Sequence, residues 1–407
     1  MSNSSSSRTP GISIWLVATV ALLSMIGPFS IDTYLPSFVD IEKDFQVSRV
    51  LLNQSLGFYL AASAISTLLW GPVSDRVGRR HTILGTLALY IAASVACALA
   101  PSYPLFLMFR VVQGIAASGG MIAGRAMVRD AHDADTAHRT MSYVMMLFAV
   151  APAIAPVIGG WLHDLFGWRS VFYFLALYGA SQWILTIRFL NETLAHEHRQ
   201  SIRPSRVARL YKEILLHRRF QLLAFALGTS FGGLFLYIAG SPTVIFDFLK
   251  LGVNDFGVQF IPMTTGIVLG AFISGKLTHI LKARVIVNIA FLILTLATTL
   301  NLAQAYWLPP AALTLIAPQV IYAFGISFIM PGISVMAMDC FPKNRGAATA
   351  VQSFVQLGVT STVASFIVPL VSSSTLQFAL TQAILMVVSV ILWISASHWP
   401  GSNSAPQ

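Results

Sequence analysis

Charge is scarce in this sequence. Asp, Glu, Lys and Arg make up 10% of its 407 residues, against roughly 25% in a soluble domain. So few charges cannot cover a water-facing surface, so most of the chain must face lipid or other helices. Acidic residues are the scarcer sign, 15 against 25 Lys and Arg, for a net charge of +10. In a soluble protein that balance would point to nucleic acid. Here the basic residues cluster in short segments between apolar runs, which is what membrane topology produces, and no nucleic-acid partner is expected. Cysteine is nearly absent. Cys97 and Cys340 lie in or beside apolar runs and read as small core residues, which excludes a disulfide framework. The His residues fall mainly in loops, none paired with Cys or Glu at metal spacing. The G-x-x-x-x-G-K-[ST] loop is missing. No catalytic residue, metal site or cofactor is therefore expected, and ATP-driven pumping is disfavoured. The Ser-rich opening is not expected to be a signal peptide, because a long apolar run and many more follow it.

What the sequence has is apolar length. Hydrophobic residues make up 56% of it. Runs of about 20 residues, enough to span a bilayer, fall at 12–36, 50–71, 82–101, 104–126, 140–162, 169–190, 221–246, 257–278, 285–305, 311–338, 346–370 and 377–397. Numbered as spans 1 to 12, they predict an all-α membrane protein. With the N-terminus inside, 20 of the 25 Lys and Arg lie in inner segments and 4 in outer loops, and Arg110 lies within a span. That bias predicts both termini cytoplasmic. The longest polar stretch, 191–220, divides the chain into six-span bundles at 12–190 and 221–400, with tails at 1–11 and 401–407. Within it, Val207, Leu210, Tyr211, Ile214 and Leu215 recur at helical spacing among basic residues, which predicts an amphipathic helix on the inner leaflet. A faint repeat supports two halves: Ala126–Asp130 closes span 4 and Val335–Asp339 closes span 10, which sets Arg110 opposite Gln319.

Two formal charges lie well inside spans, Asp32 in span 1 and Arg110 in span 4. A buried charge costs at least ~2.5–3.5 kcal/mol, so it has a partner or a function. Counting residues puts both ~6–9 Å below the outer surface. One reading is a proton-carrying carboxylate controlled by desolvation and a switchable cation. The other is a static ion pair holding two helices together. Tyr34, Gln113, Tyr237, Gln319 and Tyr322, with Tyr59 and Gln352, offer aromatic faces and neutral amides for a small apolar or neutral ligand, although each taken alone reads first as a packing or interfacial residue.

The turn after span 2 reads GPVSDRVGRR, Gly71 to Arg80, and includes Asp75, Arg76, Gly78 and Arg79. It resembles the G-x-x-x-D-R-x-G-R-R loop of the major facilitator superfamily. Arg110, Gln113 and Gly114 fit that superfamily's R-x-x-Q-G pattern. Pro152, Pro156, Gly159 and Gly160 resemble its G-P-x-x-G-G antiporter motif, with Ala155 in place of the usual Gly. Ile31–Pro36 (IDTYLP), Gly167–Phe174 (GWRSVFYF) and Asn191–Thr193 (NET) are similar to segments of the Bcr/CflA drug/proton antiporters, named for bicyclomycin and chloramphenicol resistance.

The resemblance implies a major facilitator fold of 12 helices in two six-helix bundles. It also implies export of drugs by alternating access in a bacterial inner membrane, driven by the proton gradient. Asp75, Arg79 and Asp130 would form a cluster stabilising the state closed to the cytoplasm. The small residues of span 5, with Gly266 and Gly270 of span 8, would let the halves rock; ordinary helix packing is the alternative, and for the glycines taken alone it is the first reading. The expected partners are a small molecule, protons and the bilayer, and the expected state is a monomer. Export of an endogenous nucleoside or amino-acid derivative is the alternative; a membrane-embedded enzyme or a receptor is more distant.

Overall fold

The computed structural model describes residues 14–195, 197 and 204–398. The expected tails 1–11 and 401–407, together with Arg8, Arg199 and Arg203, lie outside the described residues. Among those described, every regular element is helical, and twelve helices are long and apolar enough to cross a membrane.

The helices are α1 (Ile14–Asp32), α2 (Phe38–Phe45), α3 (Arg49–Val77), α4 (Arg79–Leu99), α5 (Tyr103–Ala131), α6 (Ala134–Phe166), α7 (Arg169–Phe189), α8 (Pro204–Leu216), α9 (Arg218–Ala239), α10 (Gly257–Leu277), α11 (Ala283–Trp307), α12 (Ala312–Asp339), α13 (Arg345–Thr362), α14 (Val368–Val371) and α15 (Thr375–Ser397). Span 1 is longer than the sequence indicates. α1 stops at Asp32, a 3-10 turn covers Leu35–Ser37, and α2 continues the span. Pro36 sits in that turn and has no N–H to carry a regular helix through it.

Most of the GPVSDRVGRR segment is helical. Gly71 to Val77 complete α3, and Gly78 alone joins it to α4. Gly78 has φ 110, a conformation that a side chain would strain, so the one-residue joint depends on glycine. Other ends are capped locally. Asp133 accepts from the Thr136 N–H at 3.3 Å at the start of α6. His217 Nδ1 accepts from the Phe220 N–H at 3.2 Å at the start of α9.

Packing repeats between the halves. α3 and α4 pack on α5 as α10 and α11 pack on α12. α4 pairs with α7 as α11 pairs with α15. Asp130 and Asp339 occupy matching positions at the ends of α5 and α12. The halves meet along α3 with α13 and along α6 with α10.

One end of the bundle, the basic face, carries Arg76, Arg79, Arg80 and Arg129; the other is the far face. The specific contacts between halves gather toward the far face. Arg49 binds Asp247 at 2.6 Å. Asn254 donates to Asp164 at 3.1 Å. Ser361 donates to the Gly57 carbonyl at 2.8 Å.

One expectation needs correction, and one alternative is decided. α8 is amphipathic, but its apolar face packs on the protein. Ile214 is fully buried, and Leu210, Tyr211 and Leu215 pack against the core of the second half, not on lipid. Gly266 and Gly270 face α12, not α6. A Cβ at either would lie 2.5 Å from the carbonyl of Val320 or Phe324, so they tighten one half and do not lubricate the joint.

Candidate functional site

The first half holds a fully buried cation. Arg110, on α5, lies between two tyrosine rings, 4.5 Å from the centre of Tyr34 and 4.4 Å from that of Tyr59. Such faces attract a guanidinium by their quadrupole. Its Nη1 donates to Gln113 Oε1, and Gln113 Nε2 donates to Ser94 Oγ at 2.7 Å. Its Nε and Nη2 face the tyrosine rings and make no regular hydrogen bond among the described residues. Asp32 closes α1, is 4% exposed, and makes no hydrogen bond or ion pair among the described residues. The two charges anticipated as a possible static pair are therefore not bonded to each other in this state.

Three of the anticipated ligand residues, Tyr34, Tyr59 and Gln113, gather around Arg110. A second network fills the other half. Asn301 Nδ2 donates to Tyr237 Oη at 2.8 Å and to Gln382 Oε1 at 2.7 Å. Gln382 Nε2 donates to Gln319 Oε1 at 2.8 Å. Gln319 and Tyr237 thus meet through Asn301 and Gln382, which the sequence reading missed. A polar side chain deep in an apolar run was the available signal for both. Tyr322 stands apart, donating to the Ser230 carbonyl at 3.0 Å, and Gln352 donates to Ser334 at 2.7 Å. Gln319 thus occupies the repeat position of Arg110, and neutral amides fill one half where a cation fills the other.

α6 reaches this site through two glycines. A Cβ at Gly159 would lie 1.9 Å from the carbonyl oxygen of Thr33, the residue after Asp32. One at Gly160 would lie 2.5 Å from that of Val253 in the second half. Gly159 thus brings α6 against the end of α1, while Gly160 brings it against the other half. Pro156 and Pro152, about one and two turns earlier, lie inside α6 and remove two of its backbone donors.

At the basic face Arg79 binds Asp75 at 2.5 Å and Asp130 at 3.0 Å, and donates to Ser74 at 2.6 Å. These contacts stay within the first half. Glu192 caps α4 from behind, accepting from the N–H groups of Arg79 at 2.9 Å and Arg80 at 3.2 Å. Burial pushes the Glu192 carboxyl up, but hydrogen bonds from the N–H groups of Leu194, Arg79 and Arg80 and from His81 outweigh it and hold the group below its ordinary value. Arg76 is exposed, and Gly71 has nothing within 4 Å of where a Cβ would stand. At the far face a cleft of about 320 Å³ lies between the halves, with Arg49 reaching Glu42 at 2.7 Å and Asp247 within it.

Residues 20–360 match the model of the Major Facilitator Superfamily. The chain belongs to the major facilitator superfamily. The transporter is 31% identical, over 92% of its length and 93% of the relative's, to an uncharacterized MFS-type transporter, YdgK, of Bacillus subtilis. It is 28% identical to a bicyclomycin resistance protein homolog of Haemophilus influenzae, over 93% and 94% of the two chains. It is 23% identical to multidrug resistance protein D of Escherichia coli, over 93% and 95%. Two of these relatives are thus named for drug resistance. Its fold matches the crystal structure of a D-xylose–proton symporter at a TM-score of 0.73, with 14% identity over 97% and 99% of the two chains. The chain is a multi-pass membrane transporter and not an enzyme.

Proposed function

We propose that this transporter exports drugs or other small, largely apolar or neutral compounds across a bacterial inner membrane in exchange for protons. It works as a monomer with the basic face in the cytoplasm and uses no cofactor beyond the proton gradient. Its relatives' names support drug export. The observation that carries proton coupling is the buried, unbonded Asp32 carboxylate beside the Gly159 contact. A carboxylate without fixed partners can take up and release a proton without dismantling a network.

Gly159 holds α6 against the same helix end, so a change of charge at Asp32 acts where α6 meets both α1 and, through Gly160, the other half. The far-face contacts fit a state open toward the cytoplasm, in which Asp32 is sealed from the periplasm. Separation of the halves at that face would expose it to the proton source. Arg110, bonded to Gln113 and flanked by rings, is free to attract the Asp32 charge when the helices move. Tyr34, Tyr59, Gln113, Tyr237, Gln319, Tyr322 and Gln352 are the residues on which a substrate would land as the packed core opens. The cluster of Asp75, Arg79 and Asp130 is the latch for the alternate state.

Purified protein in proteoliposomes with an imposed pH gradient tests this. Asp32→Asn should abolish gradient-driven export of a neutral substrate such as chloramphenicol while leaving its binding measurable. An Asn variant that still concentrates the compound against a gradient would refute proton carriage at Asp32.

A further inference from the structure

α3 contains a backbone acceptor that its own helix cannot satisfy. The carbonyl of Leu68 should receive the N–H of residue 72. Residue 72 is Pro, inside α3, and has no N–H to give. The hydroxyl of Tyr211, on α8, fills that place and donates to the Leu68 carbonyl at 2.9 Å. α8 belongs to the second half. Ile214 is buried in that half's core, Leu210 and Leu215 pack against it, and His217 alone separates α8 from α9, whose first turn it caps. The bond therefore crosses between halves near the basic face, and the Leu68 side chain packs on the same core.

We propose that Tyr211 is a strap: by donating to the carbonyl that Pro72 leaves vacant, it fastens α3 to the second half and favours the state in which the halves are joined at the far face. The proposal rests on the reading that the halves rock. When they do, α3 moves relative to α8, and the Leu68 carbonyl must exchange Tyr211 for water or remain unpaired. Helices without the proline carry no such demand, so the strap exists only because position 72 interrupts the ladder. Burial holds the Tyr211 hydroxyl up at about 12, with the Asp75 carboxylate adding to the effect, so the donor proton is present throughout the physiological range. The nearness of Asp75 also sets the strap beside the Arg79 cluster, so both devices act on the same end of α3.

The test uses the full chain in detergent with Cys97 and Cys340 replaced by Ala. Spin labels go at Val77 and His279, exposed positions on the two halves at the basic face, and pulsed electron resonance reads the ratio of long to short separations. Tyr211→Phe keeps the ring and removes the donor. It should move that ratio toward the short separation by about 2- to 10-fold, the equilibrium factor of one hydrogen bond. Pro72→Ala returns an N–H to Leu68 within α3, so Tyr211→Phe should have no effect in that background. An unchanged ratio in Tyr211→Phe, or the same shift with and without Pro72, would overturn the proposal. The measurement needs neither a proton gradient nor a substrate, so its outcome is separate from that of proton carriage at Asp32.

Discussion

An alanine at position 160 should loosen the joint between the halves at one face only. Its Cβ would stand 2.5 Å from the Val253 carbonyl, 0.9 Å short of the 3.4 Å at which ordinary contact begins. The opposing atom is backbone and cannot rotate away, so α6 and the segment before α10 must part by nearly that distance. Overpacking of this kind costs about 1–3 kcal/mol. The cost falls only on the state in which the halves touch there, because separation removes the clash. Gly160→Ala should therefore shift the balance toward the far-face-open state by about 5- to 150-fold. Spin labels at Lys43 and Leu308, exposed positions of the two halves at that face, should report longer separations. Gly159→Ala is the contrasting case. Its Cβ would lie 1.9 Å from the Thr33 carbonyl, which belongs to the same half. That clash is present in both states, so the expected result is a lower melting temperature without a comparable shift. If Gly160→Ala leaves the far-face separations unchanged, the joint does not depend on this contact and the reasoning fails.

Two further outcomes follow from the basic face. Asp75→Asn removes one of the two carboxylates on Arg79. Asp75 is half-exposed, so the pair contributes at most about 1 kcal/mol, and expression and melting should hold while transport falls several-fold; normal transport would show that no latch operates there. Glu192 has a folded-state pKa held below its ordinary 4.5, so its stabilising effect is present above that value and lost as pH falls through the folded one. Glu192→Gln should thus melt lower than the parent near neutrality and converge with it under acid, and a constant gap across pH would contradict the capping role.

The spans were legible because lipid enforces a simple rule. About 20 apolar residues cross, and only helices satisfy their own backbone on the way. The charge-bearing motif at Asp75–Arg80 was legible too, since charges stand out against so apolar a background. What one sequence could not supply was direction. Gly266 and Gly270 have the spacing of a sliding contact, but spacing does not say which neighbour a helix face meets, and they face α12. Val207 to Ile214 describe an amphipathic face without saying whether lipid or protein covers it. Asn301 and Gln382 lie about 80 residues apart, and only the packing of α11 on α15 brings them to one hydrogen bond. Arg49 and Asp247 met for the same kind of reason, across nearly 200 residues of chain.

The way Arg110 is held has a consequence for robustness. Its charge rests against the faces of Tyr34 and Tyr59 and on a neutral amide. None of these supports gains or loses a proton in the range where a cell works, so the cradle of the cation is indifferent to acidity on either side of the membrane. Asp32 shares no hydrogen bond or ion pair with that cradle among the described residues. Frame and carboxylate are thereby kept chemically apart: in the proposed cycle, a change of charge at Asp32 would break no bond of the aromatic frame that holds the Arg110 guanidinium.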